Sequence, residues 1–242
     1  MSLLRLTCLL VIAFSTPALA AATASRTWTI PAPLESQLNR LGAEQCLWVV
    51  PDISASVTAI VVPIRKRDGT WEPARPPFPA VIGRNGVAPE GEKREGDGRT
   101  PSGVFPLGFA FGYAPTLDIR WRYRPSGPDD VWIDDPEAPD YNTLSRKGLT
   151  KAKSFELLKR QDDLYKFGIV VDYNTAPVIP NQGSAIFMHI WKDQVTGTAG
   201  CVAFAESSML SVLDWLNPDL RAFVAIMPPE EPVVNGKPPL KP

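Results

Sequence analysis

The sequence predicts a single domain that is mainly β with a few short helices. The chain has 242 residues, 44% hydrophobic and 21% charged, so it can bury a core as globular proteins do. Apolar and β-branched runs recur between turn signals such as Pro51-Asp52 and Asp68-Gly69. Because strands and helices do not alternate regularly, a parallel doubly wound sheet is disfavoured and mostly antiparallel pairing is expected.

The elements run from a short helix to a closing strand. Leu34, Leu38 and Leu41 lie at helical spacing before Gly42, which predicts a short amphipathic helix. Apolar runs predict strands at residues 47–50, 57–64, 80–82, 104–111, 167–173, 184–189 and 221–227, and a helical period predicts a second helix at residues 210–216.

Two long segments between these elements are predicted to be irregular. Residues 83–98 are polar and punctuated by glycine, which indicates an exposed loop. Residues 113–151 carry many prolines, but their aromatic side chains favour an ordered wall over disorder. The tail at residues 228–242 is rich in proline and is expected to be extended or mobile.

The first twenty residues have the three-part pattern of a secretory signal peptide. Arg5 provides a positive start, residues 6–14 form an apolar run, and residues 18–20 are small enough for cleavage. The run is shorter than the roughly 20 residues of a membrane-spanning helix, so cleavage is expected rather than anchoring. We therefore expect an exported, periplasmic protein that begins near Ala21 and has no membrane span.

Charge and cysteine content narrow the function classes. A formal net charge of −1 does not favour nucleic-acid binding. Cys46 and Cys201 follow the signal, and in an oxidising compartment they are a candidate disulfide. With one histidine and no paired-cysteine motif, a zinc site is disfavoured, and no metal or organic cofactor is expected.

His189 and Cys201 are the candidates for chemistry. His189 ends an apolar run, where a strand would bring it to a rim, and Cys201 follows twelve positions later. A thiolate is a strong nucleophile, and a neighbouring imidazolium lowers the thiol pKa. The small residues 196–200 allow close approach of a substrate and offer N–H groups to an oxyanion. On spacing alone, structural roles for both side chains remain the commoner interpretation.

Three motifs in a fixed order carry a family resemblance. They are REGDGRTPSGVFPL at residues 94–107, GSAIFMHIW from Gly183 and TAGCVAF from Thr198. Together they resemble the L,D-transpeptidase catalytic-domain family, in which a histidine precedes a Ser/Thr-x-Gly-Cys segment and a Gly-x-x-x-Thr-Pro-x-Gly turn lies upstream. The resemblance spans roughly residues 78–226 and implies a single-domain β-sandwich or mixed β fold.

The residue patterns and the resemblance together divide the chain into four parts. They are a signal peptide at residues 1–20, an N-terminal segment with the first strands at residues 21–77, a catalytic domain at residues 78–227 and the proline-rich tail at residues 228–242.

The resemblance also implies roles for particular residues. The nucleophile falls on Cys201 and its base on His189, while Thr198 and Gly200 match the Ser/Thr and Gly of the cysteine motif and are expected beside the oxyanion or substrate. Arg99 is a candidate for binding a substrate carboxylate.

Other positions leave the substrate contacts open. Arg84 and Arg94 are candidates for the same role as Arg99, but a solvated face or local ion pairs would explain all three equally well. The chain departs from many family members at Ala203, where they have Arg or Asn, and at Ile190, where they have Gly.

The implied activity is acyl transfer on peptidoglycan stem peptides. Cys201 would form a thioester with a stem tetrapeptide, release D-Ala and pass the acyl group to an amine. Two alternatives remain: an L,D-carboxypeptidase or amidase in which water resolves the thioester, and a non-catalytic wall-binding protein with a Cys46–Cys201 disulfide. A papain-like protease is disfavoured because its cysteine precedes its histidine. The sequence specifies neither the acceptor nor the oligomeric state.

Overall fold

The structure, a computed structural model, describes residues 28–52 and 57–228. The predicted signal peptide lies outside these residues, as does the predicted tail beyond Pro228. Within the described ranges the fold is mainly β with two α-helices, which confirms the predicted fold class.

The helices are α1 (Ala32–Arg40) and α2 (Glu206–Trp215), with one 3-10 helix at Asp163–Tyr165. In the described part of the chain the strands are β1 (Gln45–Pro51), β2 (Thr58–Arg67), β3 (Thr70–Pro73), β4 (Phe78–Val81), β5 (Val87–Ala88), β6 (Thr100–Pro101), β7 (Gly103–Gly112), β8 (Tyr123–Pro125), β9 (Asp130–Ile133), β10 (Leu144–Arg146), β11 (Phe155–Leu157), β12 (Phe167–Val171), β13 (Phe187–Ile190), β14 (Val202–Phe204) and β15 (Ala222–Ile226).

The main sheet closes on itself. Its strand order is β1-β15-β7-β12-β13-β14-β4-β2, and β2 pairs back with β1. Closure satisfies strand edges that would otherwise be open. Most pairings are antiparallel, as predicted, but β1–β15, β13–β14 and the side pairing β7–β8 are parallel. The parallel pair β13–β14 matters for function, because it carries both candidate catalytic residues to one region.

Successive side chains of a strand point to opposite faces of the sheet, and this divides the core into separate clusters. Ile169 of β12 packs into the largest cluster, whereas its neighbour Val170 packs on the other face of the sheet. Helix α2 covers the largest cluster through Met209 and Leu213, and α1 covers a second cluster through Leu34. A third cluster, on the side of Val170, contains Phe111, Trp132, Leu158, Tyr165, Phe187 and Cys201.

The segment at residues 113–151 is ordered, as expected, but the prediction that it is irregular was wrong for three short strands. It contains β8, β9 and β10, and β9 pairs on both sides, with β10 and β11. These strands have three or four residues each, too few to show a periodic pattern in sequence.

The loop at residues 83–98 is largely exposed, as predicted, but one of its charges is not. Lys93 is only 5% exposed. Its ammonium group donates to the Asp97 carboxylate at 2.7 Å and to the Arg94 carbonyl at 2.6 Å. The buried charge is compensated by these contacts and holds the loop against the body of the domain.

Candidate active site

Cys201 lies where a loop of small residues meets β14. Its buried Sγ donates to the carbonyl oxygen of Ala185 at 3.3 Å and accepts from the N–H of Phe187 at 3.4 Å. The preceding Gly200 has φ of +154°, and a Cβ there would lie 3.0 Å from the carbonyl oxygen of Arg99. Glycine is required for this approach, which places Cys201 beside β13.

Two threonine hydroxyls hold the backbone of Cys201. Its carbonyl oxygen accepts from Thr198 Oγ1 at 2.7 Å and from Thr100 Oγ1 at 3.3 Å. Thr100 Oγ1 also accepts from the N–H of Gly83 at 2.8 Å. The N–H of Gly200, an expected oxyanion donor, is engaged by Thr198 Oγ1 at 3.0 Å. The upstream Thr-Pro motif and the cysteine motif therefore meet at Cys201.

His189 lies on β13, in register with Ala203 of the adjacent β14. Its Nδ1 is 2.8 Å from the carbonyl oxygen of Ile190. Since a carbonyl oxygen can only accept, this contact assigns the proton to Nδ1. Nε2 is then left with a lone pair that can accept a proton.

Burial keeps both groups neutral in the free protein. It lowers the pKa of His189 to about 4 and raises the pKa of Cys201 to about 12. The Glu156 charge raises the thiol pKa further, whereas the N–H of Phe187 and the charge of Lys93 oppose this. The sequence led us to expect an imidazolium that lowers the thiol pKa. The buried pair is instead a thiol and a neutral imidazole near pH 7.

Cys201 and His189 line one cleft of about 440 Å³. Thr198 and Gly200 line it as well, so four of the five residues singled out from the sequence lie together. Arg99 is exposed and does not belong to the lining. The charged side chains that line the cleft are Arg84, Lys93, Glu95, Asp134, Glu156, Arg160 and Lys192.

The other two loop arginines differ in position. Arg84 lines the cleft beside the loop that leads to Cys201. Arg94 instead donates to the carbonyl oxygens of Gly91 and Lys93 within its own loop. Of the three arginines, Arg84 has the position from which a substrate carboxylate can be reached.

A family model for the YkuD L,D-transpeptidase catalytic domain matches residues 50–234. This range covers most of the chain, including both motifs around the cleft. The chain belongs to this family. Its members are cysteine-dependent L,D-transpeptidases that act on peptidoglycan. No curated protein and no solved structure matches the chain significantly.

Several residues at the cleft of this L,D-transpeptidase domain were not found from the sequence. Glu156, Arg160 and Tyr165 belong to the lining, although their segment has no motif or spacing typical of a site. Folding brings this segment against β13, far from it in sequence. The ring of Tyr165 contacts His189, with centroids 5.0 Å apart.

Acidic groups occupy another part of the lining. Glu95 accepts hydrogen bonds from the hydroxyl groups of Tyr141 and Ser184. Asp134 has one buried carboxylate oxygen without a hydrogen-bond partner. Burial raises the pKa of Asp134, and the nearby charge of Glu95 raises it further. With Lys93 and Arg84, these carboxylates make the cleft bipolar rather than uniformly charged.

The structure does not support a disulfide between Cys46 and Cys201. Both are free thiols, and they pack in different core clusters. Burial raises the pKa of Cys46, which makes its thiol unreactive. The wall-binding alternative depended on that disulfide and therefore loses its structural basis.

Residues 28–52 and 57–228 show neither a metal-binding cluster nor a membrane-spanning helix. No group of three or more His, Cys, Asp or Glu side chains in these ranges is arranged to hold a metal ion. None of the helices described there is long and apolar enough to cross a bilayer.

Proposed function

We propose that the protein is an exported L,D-transpeptidase in which Cys201 is the nucleophile and His189 the base. One observation carries the proposal: both residues, brought together by the parallel strands β13 and β14, line the same cleft. The neutral imidazole with a free Nε2 supports the assignment of the base.

The first half-reaction forms the thioester. Sγ of Cys201 attacks the carbonyl carbon between the third residue of a stem tetrapeptide, diaminopimelate, and the terminal D-Ala. The thiol proton passes to Nε2 of His189 as the S–C bond forms. When the tetrahedral intermediate collapses, the C–N bond breaks and the imidazolium protonates the amine of the departing D-Ala.

The second half-reaction transfers the acyl group. A side-chain amine of a neighbouring stem attacks the thioester carbonyl, and His189 accepts the proton from that amine. The C–S bond breaks, an amide cross-link forms, and the sulfur regains its proton from His189. No cofactor is required at either step.

Backbone N–H groups near Cys201 stabilise the oxyanion. The N–H of Cys201 itself is the donor we assign, because the N–H of Gly200 is engaged by Thr198. Thr198 and Thr100 contribute by holding the carbonyl of Cys201, which fixes the direction of the adjacent backbone. A role for Gly200 requires that its bond to Thr198 opens when substrate binds.

The test is product analysis by mass spectrometry. The full chain is expressed in bacteria and purified from a periplasmic extract. An intact mass that corresponds to a chain starting near Ala21 would support export. Purified tetrapeptide muropeptides are then added. We expect cross-linked dimers and released D-Ala.

Matched variants define the outcome. Cys201→Ala should give no product, whereas Cys46→Ala, which removes the other buried thiol, should retain activity. Shortened monomers without dimers would reassign the protein as a carboxypeptidase that uses the same pair. Dimers from Cys201→Ala would exclude the proposed nucleophile.

A further inference from the structure

We propose that Tyr165 is a positioning residue that holds the imidazole of His189 in its catalytic orientation and is itself fixed by Glu156 and Arg160. The inference rests on the proposed role of His189 as the base. It assigns a function to a segment, residues 156–165, that lies in the lining of the cleft but carries no recognised motif.

The ring of Tyr165 contacts His189 from the side of the 3-10 helix. The two ring centroids are 5.0 Å apart with an interplanar angle of 67°, an edge-type contact. Tyr165 is 4% exposed, and its ring also packs edge-on against Phe111 and Phe187, each at 5.8 Å. These contacts confine the Tyr165 ring, and from this position it limits rotation of the imidazole.

His189 needs such a contact because its own anchoring is limited. Its ring has one hydrogen bond, from Nδ1 to the carbonyl of Ile190. That bond fixes the tautomer but permits the ring to tilt about its axis. The aromatic edge of Tyr165 opposes this tilt and excludes water from the same side of the imidazole.

The hydroxyl of Tyr165 ties the ring to an ion-pair cluster. It donates to Oε1 of Glu156 at 2.9 Å, and Nη1 of Arg160 donates to the same oxygen at 3.0 Å. The guanidinium carbon of Arg160 lies 5.1 Å from the centre of the Tyr165 ring. Burial raises the pKa of Tyr165 well above its usual value, so the phenol stays protonated and continues to donate.

Arg160 also fixes the start of the 3-10 helix. Its Nε and Nη2 each donate to a carboxylate oxygen of Asp162 at 2.8 Å. Asp162 caps the helix by accepting from the N–H of Leu164 at 3.3 Å. Arg160 thus connects the cap of the helix that carries Tyr165 to Glu156, the acceptor of the Tyr165 hydroxyl.

A purely structural tyrosine would not need this arrangement. Phenylalanine would fill the same apolar space, and a buried hydroxyl costs free energy unless it is hydrogen-bonded. Placing Glu156 near Cys201 also raises the thiol pKa, which by itself disfavours the nucleophile. The presence of Glu156 despite its effect on the thiol pKa is explained if its bond to Tyr165 helps to orient His189.

The charges around His189 are few. Arg160 lowers its pKa and Asp162 raises it, both from the side of the 3-10 helix. On the β14 side the titratable neighbour is Cys201, and at the start of α2 the Glu206 carboxylate is paired with Lys166 at 2.6 Å. Strand β12, on the other side of β13, carries apolar side chains and glycine only. Exposure of the imidazole to water is therefore the main variable that Tyr165 controls.

The test uses the single histidine of the sequence. In tag-free, ¹⁵N-labelled mature protein, an NMR titration reports the pKa of His189 without ambiguity. We expect Tyr165→Leu to raise that pKa by about one unit or more, because the imidazole becomes hydrated. We also expect kcat to fall about tenfold or more with KM within about twofold, since the base is misoriented.

Other variants separate positioning from packing. Tyr165→Phe keeps the ring and should leave the His189 pKa within about half a unit, with a smaller loss of kcat than Tyr165→Leu. Tyr123→Leu removes a tyrosine ring from β8, outside the cleft, and should change neither value. If Tyr165→Leu fails to fold, Tyr165→Met, which fills more of the same space without an aromatic edge and changes no charge, should still raise the His189 pKa.

A folded Tyr165→Leu with an unchanged His189 pKa and wild-type kcat would overturn the proposal, as would an unchanged pKa in Tyr165→Met where Tyr165→Leu cannot be obtained. The titration does not depend on turnover. If the wild-type protein shows no activity on muropeptides, the proposed function fails, whereas the pKa shift still decides whether Tyr165 holds the imidazole.

Discussion

His189 and Cys201 line the cleft as a weak base and a weak acid. A buried imidazole with a pKa near 4 does not deprotonate a buried thiol with a pKa near 12 in the free protein. We therefore infer that the proton moves only as sulfur attacks the substrate carbonyl, when negative charge leaves sulfur for an oxyanion that backbone N–H groups stabilise.

Alkylation of Cys201 tests this neutral resting state. In mature Cys46→Ala protein, the rate of reaction with iodoacetamide should rise about tenfold per pH unit between about pH 7 and 9, without a plateau, because the thiolate fraction grows with pH when the pKa lies far above. The rate is followed by intact mass at each pH.

The reference for this experiment is Cys201→Ala, in which only Cys46 remains. Its fully buried thiol should not react on the same timescale. A rate for Cys201 that is independent of pH above 7 would mean a thiolate already present, and would contradict the neutral pair.

At the scale of elements, strand β6 and the loop before β14 act as one unit. Thr100 of β6 joins the N–H of Gly83 to the carbonyl of Cys201, and Gly83 forms a β-bridge with Thr198. A Cβ on Gly83 would lie 2.4 Å from the carbonyl oxygen of Gly98, so these segments are in close backbone contact. The Thr-Pro motif is therefore a support of the site rather than part of its chemistry.

Thr100→Val should weaken both stability and catalysis. Valine keeps the shape but leaves the N–H of Gly83 without its partner in a fully buried position, which costs about 1–3 kcal/mol of unfolding free energy. We expect a lower Tm and a lower kcat, measured by thermal denaturation and by the muropeptide assay.

Thr100→Ser is the matched variant, because it keeps the hydroxyl and removes a methyl group. It should retain more of the kcat than Thr100→Val. Equal kcat values in wild type and Thr100→Val would show that this hydroxyl does not support Cys201.

Prediction from sequence succeeded for elements that carry a pattern and failed where none exists. The apolar runs that form β12 and β15 are long enough to be recognised as strands, and the leucines of α1 show a helical period. Strand β9 has only four residues, and it is recognised as a strand from its pairing with β10 on one side and β11 on the other. Short strands depend on neighbours that a local pattern does not contain.

At the scale of the whole molecule, the closed sheet places His189 in the interior. Its burial lowers its pKa, and the unfolded chain has the ordinary value near 6.5, so stability depends on pH. Below 6.5 the unfolded histidine binds a proton that the folded one does not bind until about pH 4. The contribution of the neutral His189 to the unfolding free energy is fully present above pH 6.5 and is lost as the pH falls from 6.5 to about 4.

Urea denaturation should show this loss. Between pH 6.5 and 4 the unfolding free energy of the wild type should fall by about 3 kcal/mol relative to that of His189→Gln, whose side chain does not titrate. Other titrating groups affect both proteins alike, so the difference isolates His189. Parallel pH profiles would show that its folded pKa is not lowered.

The sequence by itself determined the fold class, the family resemblance and the pair His189 and Cys201, because composition, short-range periodicity and motif spacing are properties of neighbouring residues. Only the tertiary structure decided that the two thiols stay apart, that Arg84 rather than Arg99 lines the cleft, and that Tyr165 lies against His189 while its hydroxyl bonds to Glu156. These contacts, and the burial that shifts both pKa values, join segments distant in the chain. They arise from packing, which no local pattern encodes.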